Sequence, residues 1–227
     1  MSGIQALATE VKSTRAESLR HVDWTLTHLR DRALDDQIVS SVNVGDRVLD
    51  LGCGQGDLLD RLKWERKVHE QGIEIDGKAV TGAIARGLSV VHGDLEEGLG
   101  DLGDGSCDVV ILNQVITVIR DPVTLIEESL RVGRRVIVTF PNFAVWRTRF
   151  QLLLRGRLPV TPSLPYQWHD TPNIRLVTVK DFRNLCRRLG LSVLKESYSS
   201  PGADGRFHPV RVWPNLRASS AMFCLSR

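Results

Sequence analysis

Several things are missing from this chain, and each absence removes a class of function. There are no clustered cysteines: Cys53, Cys107, Cys186 and Cys224 lie far apart, with no CxxC pair and no histidine beside them at metal-ligand spacing. A disulfide framework and a structural zinc site are therefore not expected, no metal is assigned, and a reducing cytoplasm is the expected home. There is no long hydrophobic run, because the longest apolar region, residues 136–154, is broken by Pro141, Arg147 and Arg149. No membrane partner is expected. There is no large charge excess either. A formal net charge of +3 is too small to imply a nucleic-acid surface. The first residues carry no apolar core of signal-peptide length and mix their arginines with Glu10, Glu17 and Asp23, so no leader is expected. Internal repeats and low-complexity segments are absent as well.

What is present is an ordinary globular composition, 42% hydrophobic and 25% charged over 227 residues, enough to bury a full core. Residues 1–40 read as a polar segment and a leading helix, with Val22, Leu26, Leu29 and Ala33 at helical spacing. Residues 41–227 read as one domain. "RVLDL", "VHEQGIEI", "LSVVHG", "CDVVILN" and "RRVIVTF" are short strand-like runs rich in Val, Ile and Leu, separated by helical stretches at 56–63, 77–85 and 122–131. Strand and helix in alternation predict crossover units and a mostly parallel sheet covered on both faces. After Phe140 the rhythm breaks into an insertion, residues 142–175, which holds an amphipathic helix and a proline-rich loop. A helix at 179–189 and two further strands follow, one of which is free to join antiparallel.

The chemistry concentrates in "RVLDLGCGQGDLL". A glycine-rich turn between strand and helix brings backbone N–H groups close to a ligand, near the positive end of the helix dipole. A dinucleotide fingerprint, GxGxxG or GxGxxA, fails in both registers, since Asp57 or Leu59 stands where a small residue is required. The pattern is instead Asp50 followed by Gly52, Gly54 and Gly56. A carboxylate at Asp50 would repel a pyrophosphate and tolerate an ammonium or a sulfonium. Glu74, at the end of the second strand, is placed to accept the hydroxyls of a ribose. Asp94, in "HGDL" after the third strand, offers an acceptor for an adenine amino group. Cys53 reads as a small packing residue beside the loop, not as a nucleophile.

These features, in this order, resemble the class I S-adenosylmethionine-dependent methyltransferases. The resemblance implies a Rossmann-like α/β fold with a seven-stranded, mostly parallel sheet, helices on both faces and an insertion after the fifth strand. It also implies S-adenosylmethionine or S-adenosylhomocysteine as ligand, with Asp50, Gly52, Cys53, Gly54, Gly56, Glu74, Ile75, Gly93, Asp94, Leu95 and Asn113 around it. Asp108 fits the start of the fourth strand. Methyl transfer from a sulfonium is an in-line displacement that positioning can drive, so no universal catalytic residue is expected. Tyr166, His169 and Asp170 in the insertion are the candidates for acid–base work. "LNQVIT" lacks the paired prolines of the enzymes that methylate base or glutamine amino groups.

A narrower likeness lies in "FPNFAVWRTRFQLLLRGRLPVTPSLPYQWHDTPNI". Together with "ARGLSVVHGDLEEGL" it resembles the MetW family of methionine biosynthesis over roughly residues 45–195. That resemblance implies a companion of MetX, the homoserine O-acyltransferase, and leaves open an enzyme acting on a small-molecule acceptor. A homo-oligomer is also compatible with it. Where the family reads Tyr-Glu-Trp-Tyr-Asp, this chain has Tyr166, Gln167, Trp168, His169 and Asp170, a change that suits a docking surface better than a strict catalytic duty. The arginine- and aromatic-rich helix, with Trp146, Phe150 and Leu154 along one side, is expected to cover the sheet or to meet another protein.

Overall fold

A computed structural model describes residues 32–161, 164, 166–202, 204 and 206–227. The expected helical positions Val22, Leu26 and Leu29 lie outside the described residues. The chain opens with helix α1 (Arg32–Ser41) and then alternates: β1 (Arg47–Leu51), α2 (Asp57–Arg66), β2 (His69–Glu74), α3 (Gly77–Ala85), β3 (Val90–His92), β4 (Cys107–Asn113), α4 (Pro122–Val132) and β5 (Gly133–Pro141). The insertion carries α5 (Trp146–Arg155), after which come α6 (Val179–Arg188), β6 (Ser192–Pro201), β7 (Phe207–Pro209), α7 (Pro214–Arg217) and β8 (Ser220–Ser226).

Local chemistry sets the helix starts. Asp121 caps α4 by accepting from the Thr124 amide at 3.1 Å, with Pro122 at the first helical position. Asp76 and Thr178 cap α3 and α6 in the same way. Each cap satisfies an amide that the helix leaves open and contributes about 1 kcal/mol.

The strands form one sheet in the order β3-β2-β1-β4-β5-β8-β6-β7. Strands β1 to β5 pair in parallel, and β8 is antiparallel to both β5 and β6. The seven expected strands are therefore joined by an eighth, the three-residue β7 at the edge. The order reverses between β1 and β4, so a crevice opens beyond their carboxyl ends.

Side-chain alternation gives the sheet two cores. On one face Leu49, Leu51, Val110 and Leu112 pack with Ile126 of α4 and Phe182 of α6. On the other, Val48, Val109, Ile111 and Ile137 pack with Ile38 of α1 and with Leu58 and Leu62 of α2. Each such side chain, taken from water, contributes roughly 1.5–3 kcal/mol. Phe140, Phe182 and Phe223 form a ring cluster with centroids 4.8 to 5.8 Å apart. Arg135 ties α1 to the sheet through the Ser41 carbonyl and Asp46.

The insertion helix departs from the reading that it covers the sheet. Only Thr148 of α5 is buried. Trp146 and Phe150 meet edge-on, yet both stay exposed, and Leu153 and Leu154 are 80% and 74% exposed. Helical spacing creates an apolar stripe, but it does not say what lies against it.

Candidate functional site

The glycine loop joins β1 to α2, and its three glycines are required for three different reasons. Gly52 has φ +72°, and a Cβ there would stand 2.9 Å from Val115 Cγ2. Gly56 caps α2 at φ +79°, and a Cβ would come within 2.4 Å of Leu88 Cδ1. Gly54 has φ +56° but faces open space, with no atom within 4 Å of its Cβ position. Two glycines are held by the protein's own packing; the third presents bare backbone outward.

Glu74 locks this loop to the neighbouring strand end. Its Oε2 accepts from the Gly54 amide at 2.8 Å, and its Oε1 accepts from the amides of Ile75 and Asp76, both at 2.9 Å. A carboxylate offers about four acceptor positions, and these backbone amides take three of them. The Gly52 and Cys53 amides both donate to the Ile73 carbonyl. Gly93 donates to the Glu74 carbonyl at 3.0 Å, and the His92 ring meets the Ile75 carbonyl at 2.9 Å. The ends of β1, β2 and β3 are thus laced together.

Asp50, on β1 just before the loop, is 2% exposed and sits opposite Gly72 and Ile111 in the ladder. Asp94 caps the short turn Leu95–Glu97 by accepting from the Glu96 amide at 3.0 Å. Ile75 is exposed beside it, while Leu95 packs partly into the core. At the end of β4, Asn113 accepts from the Thr139 hydroxyl, and the left-handed Gln114 donates its amide to the Thr139 carbonyl and hydroxyl.

Cys53 packs as the sequence reading expects. Its sulfur sits where a Cβ on Gly72 would come within 2.5 Å, in a cluster with Leu59, Val80, Ala83, Leu88 and Val90. Burial first, then the charges of Asp50 and Glu74, push its thiol far above the ordinary range. A thiol held protonated is neither nucleophile nor ligand. Asp108 lies at the opposite end of β4. It pairs with Arg47, which holds its carboxyl down at about 2 through side-chain and then backbone hydrogen bonds.

Two of the three insertion candidates, His169 and Asp170, stand apart from this lacework. Tyr166 is half-buried, whereas His169 and Asp170 are exposed, with the His169 ring edge-on to Trp168 at 5.5 Å. No hydrogen bond joins the side chain of His169 or Asp170 to the strand-end residues, among the described residues. Reading the sequence missed Arg86, which spans the Gln55 carbonyl at 3.0 Å and Asp57 and Asp60 at 2.6 and 2.9 Å. It also missed Arg175, whose guanidinium donates to the Ile119 and Arg120 carbonyls and returns the insertion to the turn after β4. The two acids Asp57 and Asp60, one helical turn apart, were the available signal for Arg86. Nothing local marks Arg175.

A family model for the methionine biosynthesis protein MetW matches residues 32–225. A curated relative, the bifunctional methionine biosynthesis protein MetXA/MetW of Rhodopirellula baltica, is 33% identical over 202 residues. The match takes in 85% of this chain and 32% of the relative, so the chain spans about a third of that protein's length. Among solved structures, a Thermotoga maritima S-adenosylmethionine-dependent methyltransferase, described as a possible histamine N-methyltransferase, aligns with TM-score 0.66 at 18% identity. The alignment covers 92% of this chain and 98% of that one. An Archaeoglobus fulgidus S-adenosylmethionine-dependent methyltransferase aligns with TM-score 0.63 at 14% identity, covering 90% and 100%. At such identities the likeness is one of fold, and the fold is the Rossmann-like α/β architecture of class I methyltransferases.

Proposed function

The chain belongs to the family of methionine biosynthesis protein MetW, and from that premise we propose that it is an S-adenosylmethionine-binding companion of a MetX-like homoserine O-acyltransferase. The observation that carries the partnership is the fused relative, named for MetXA and MetW together, in which this chain's counterpart is about a third of one polypeptide. Segments fused in one species are natural candidates to associate as separate chains in another.

The ligand half of the proposal rests on Gly54 and Glu74. The residues fit an adenosyl sulfonium: open backbone at Gly54, one vacant acceptor on Glu74 Oε2 for a ribose hydroxyl, and Asp94 one strand further along for the adenine amino group. Ile75 and Leu95 would flank the base. Asp50, Gly52, Gly56, Gly93 and Asn113 complete the wall. Bound there, S-adenosylmethionine supplies a positively charged sulfur with a transferable methyl group, and its demethylated product fills the same site. A ligand on one subunit alters a partner's activity when it binds the partner's two states unequally. The product of the pathway's later steps would then report on its own abundance.

Calorimetry with S-adenosylmethionine and S-adenosylhomocysteine tests the ligand site. The intact chain is expected to bind at least one of them. Gly54→Val, which fills the open space and strains a left-handed position, is expected to bind neither. Absence of heat from both ligands with the intact chain would overturn the reading.

A second reading, a working methyltransferase on a small-molecule acceptor, is favoured by Tyr166, His169 and Asp170, polar residues of the insertion. It requires labelled methyl groups to appear on a metabolite in an extract, and Asp50→Ala to abolish them. An extract that stays unlabelled leaves the companion role.

A further inference from the structure

Two elements that are hydrogen-bonded to each other leave their largest apolar groups in water. On α5, Trp146, Phe150, Leu153 and Leu154 are exposed, on the side of the helix away from the buried Thr148. The second element is α7. It is tied to the turn entering α5 by Asn142, whose side-chain amide donates to the Asn215 and Ala218 carbonyls at 3.2 and 2.7 Å. Arg149 of α5 reaches the same Asn215 carbonyl at 3.5 Å. Trp213 stands immediately before α7, 71% exposed and next to the exposed Val212.

Trp213 is strained as well as exposed. Its φ of +52° lies in the left-handed region, which a bulky L-residue avoids and glycine enters freely. Its exposed ring does not offset that cost by burial in the core, and strained residues of this kind collect at sites of contact. Charge is distributed in a matching way. No Asp or Glu stands between Glu128 and Asp170, nor anywhere after Asp204. The apolar groups are accompanied instead by the exposed Arg147, Arg149, Arg155, Arg157, Arg211 and Arg217, none of which forms an ion pair among the described residues. The Arg147 guanidinium lies over the Trp146 ring at 5.4 Å, and Arg149 is held by carbonyls, which leave its charge uncompensated. Tryptophan and arginine together are the composition of strongly binding protein surfaces.

We propose that α5 and Trp213 form one docking surface, and that its occupant is an apolar face of the MetX-like acyltransferase rimmed by Asp and Glu, with Trp213 as the anchor. This rests on the partnership proposed above and adds the surface and the charge that the partner must present. The rim arginines call for carboxylates opposite them, which steer the encounter and fix its register. A second copy of this chain is a poor occupant, because a two-fold contact through this face would set arginine against arginine. Nucleic acid is no better matched, since the middle of the surface is Trp, Phe and Leu where phosphates require cations.

The experiment is titration of the full chain with a MetX-like acyltransferase at low and high salt, alongside thermal melts of the chain alone. Raising the salt is expected to weaken the complex about tenfold or more, and Arg147→Glu combined with Arg157→Glu is expected to do the same at low salt. Trp213→Gly carries the sharper test. Glycine relieves the left-handed strain, so this variant is expected to melt no lower than the native chain while binding about tenfold or more weakly. A native complex that ignores salt, or that Trp213→Gly leaves as tight, overturns this surface and leaves the partnership standing. A clearly lower melt for Trp213→Gly overturns the anchor, because the ring would then belong to the fold. Self-association of the native chain that Trp213→Gly abolishes, or adsorption to phosphatidylserine vesicles in place of the acyltransferase, assigns the face to a different occupant and overturns the proposal. Absence of any complex between the native chains overturns the surface and the partnership together.

Discussion

At the scale of single residues, the glycine loop separates folding from ligand binding. Gly56 and Gly54 both have positive φ, but only Gly56 is pressed against a neighbour, Leu88 Cδ1. Left-handed backbone costs an alanine about 1–2 kcal/mol, and forcing a methyl into a packed site about 1–3 more. Gly56→Ala is therefore expected to lose about 2–5 kcal/mol in urea denaturation. Gly54→Ala is expected to lose only the backbone share, yet to weaken S-adenosylmethionine more than Gly56→Ala does. Equal destabilisation by the two would mean that Leu88 yields freely. The spacing of the three glycines was plain in the sequence, as were Asp50, Glu74 and Asp94 at successive strand ends. Which glycine faces outward was not, because it depends on Leu88, thirty-two positions away in the chain.

Among the elements, β1 and β4 are pinned together at their amino ends by Arg47 and Asp108, far from the strand ends that carry the glycine loop. The Asp108 carboxyl, held near 2 instead of 3.8, is a depressed acid. Its stabilising effect is fully present above about pH 4 and is lost as pH falls through 2. The Arg47 side chain is 45% exposed, so the effect is screened to about 1 kcal/mol. Comparing the acid unfolding of the native chain with Asp108→Asn measures it: the variant is expected to be less stable at pH 6 and to converge with the native chain near pH 2. Parallel shift of the two curves over the whole range would refute the assignment. The central strands and their helices were legible because Val- and Leu-rich runs alternate with capped helical segments. The edge strand β7 was not, since three residues carry no periodicity. Nor was the order β5-β8-β6, because an apolar strand does not encode its neighbours.

For the molecule as a whole, the exposed stripe of α5 is the feature that the fold does not consume. Large apolar groups clustered on a surface mark contact with something else, and the fused relative supplies the candidate. Co-expression with a MetX-like acyltransferase is expected to yield a complex that survives purification at low salt, with occupancy that differs when S-adenosylmethionine is added. Leu153→Glu, at an 80% exposed position, is expected to change stability by less than about 0.5 kcal/mol while abolishing co-purification. Retention of the complex by this variant would move the contact elsewhere; failure of the intact chains to co-purify would remove the partnership itself. The amphipathic spacing of Trp146, Phe150 and Leu154 was visible in the sequence, but its exposure is a property of what the sheet leaves uncovered.

The position of β8 has a consequence for how the molecule is made. This strand follows every other described element in synthesis, yet it is threaded between β5 and β6. Until residues 220–226 leave the ribosome, β5 carries an unpaired, apolar edge and β6 has no neighbour on that side. Nascent chains cut short before Ser220 should therefore be sticky and prone to clump, and slow translation of residues 220–226 would prolong that hazard.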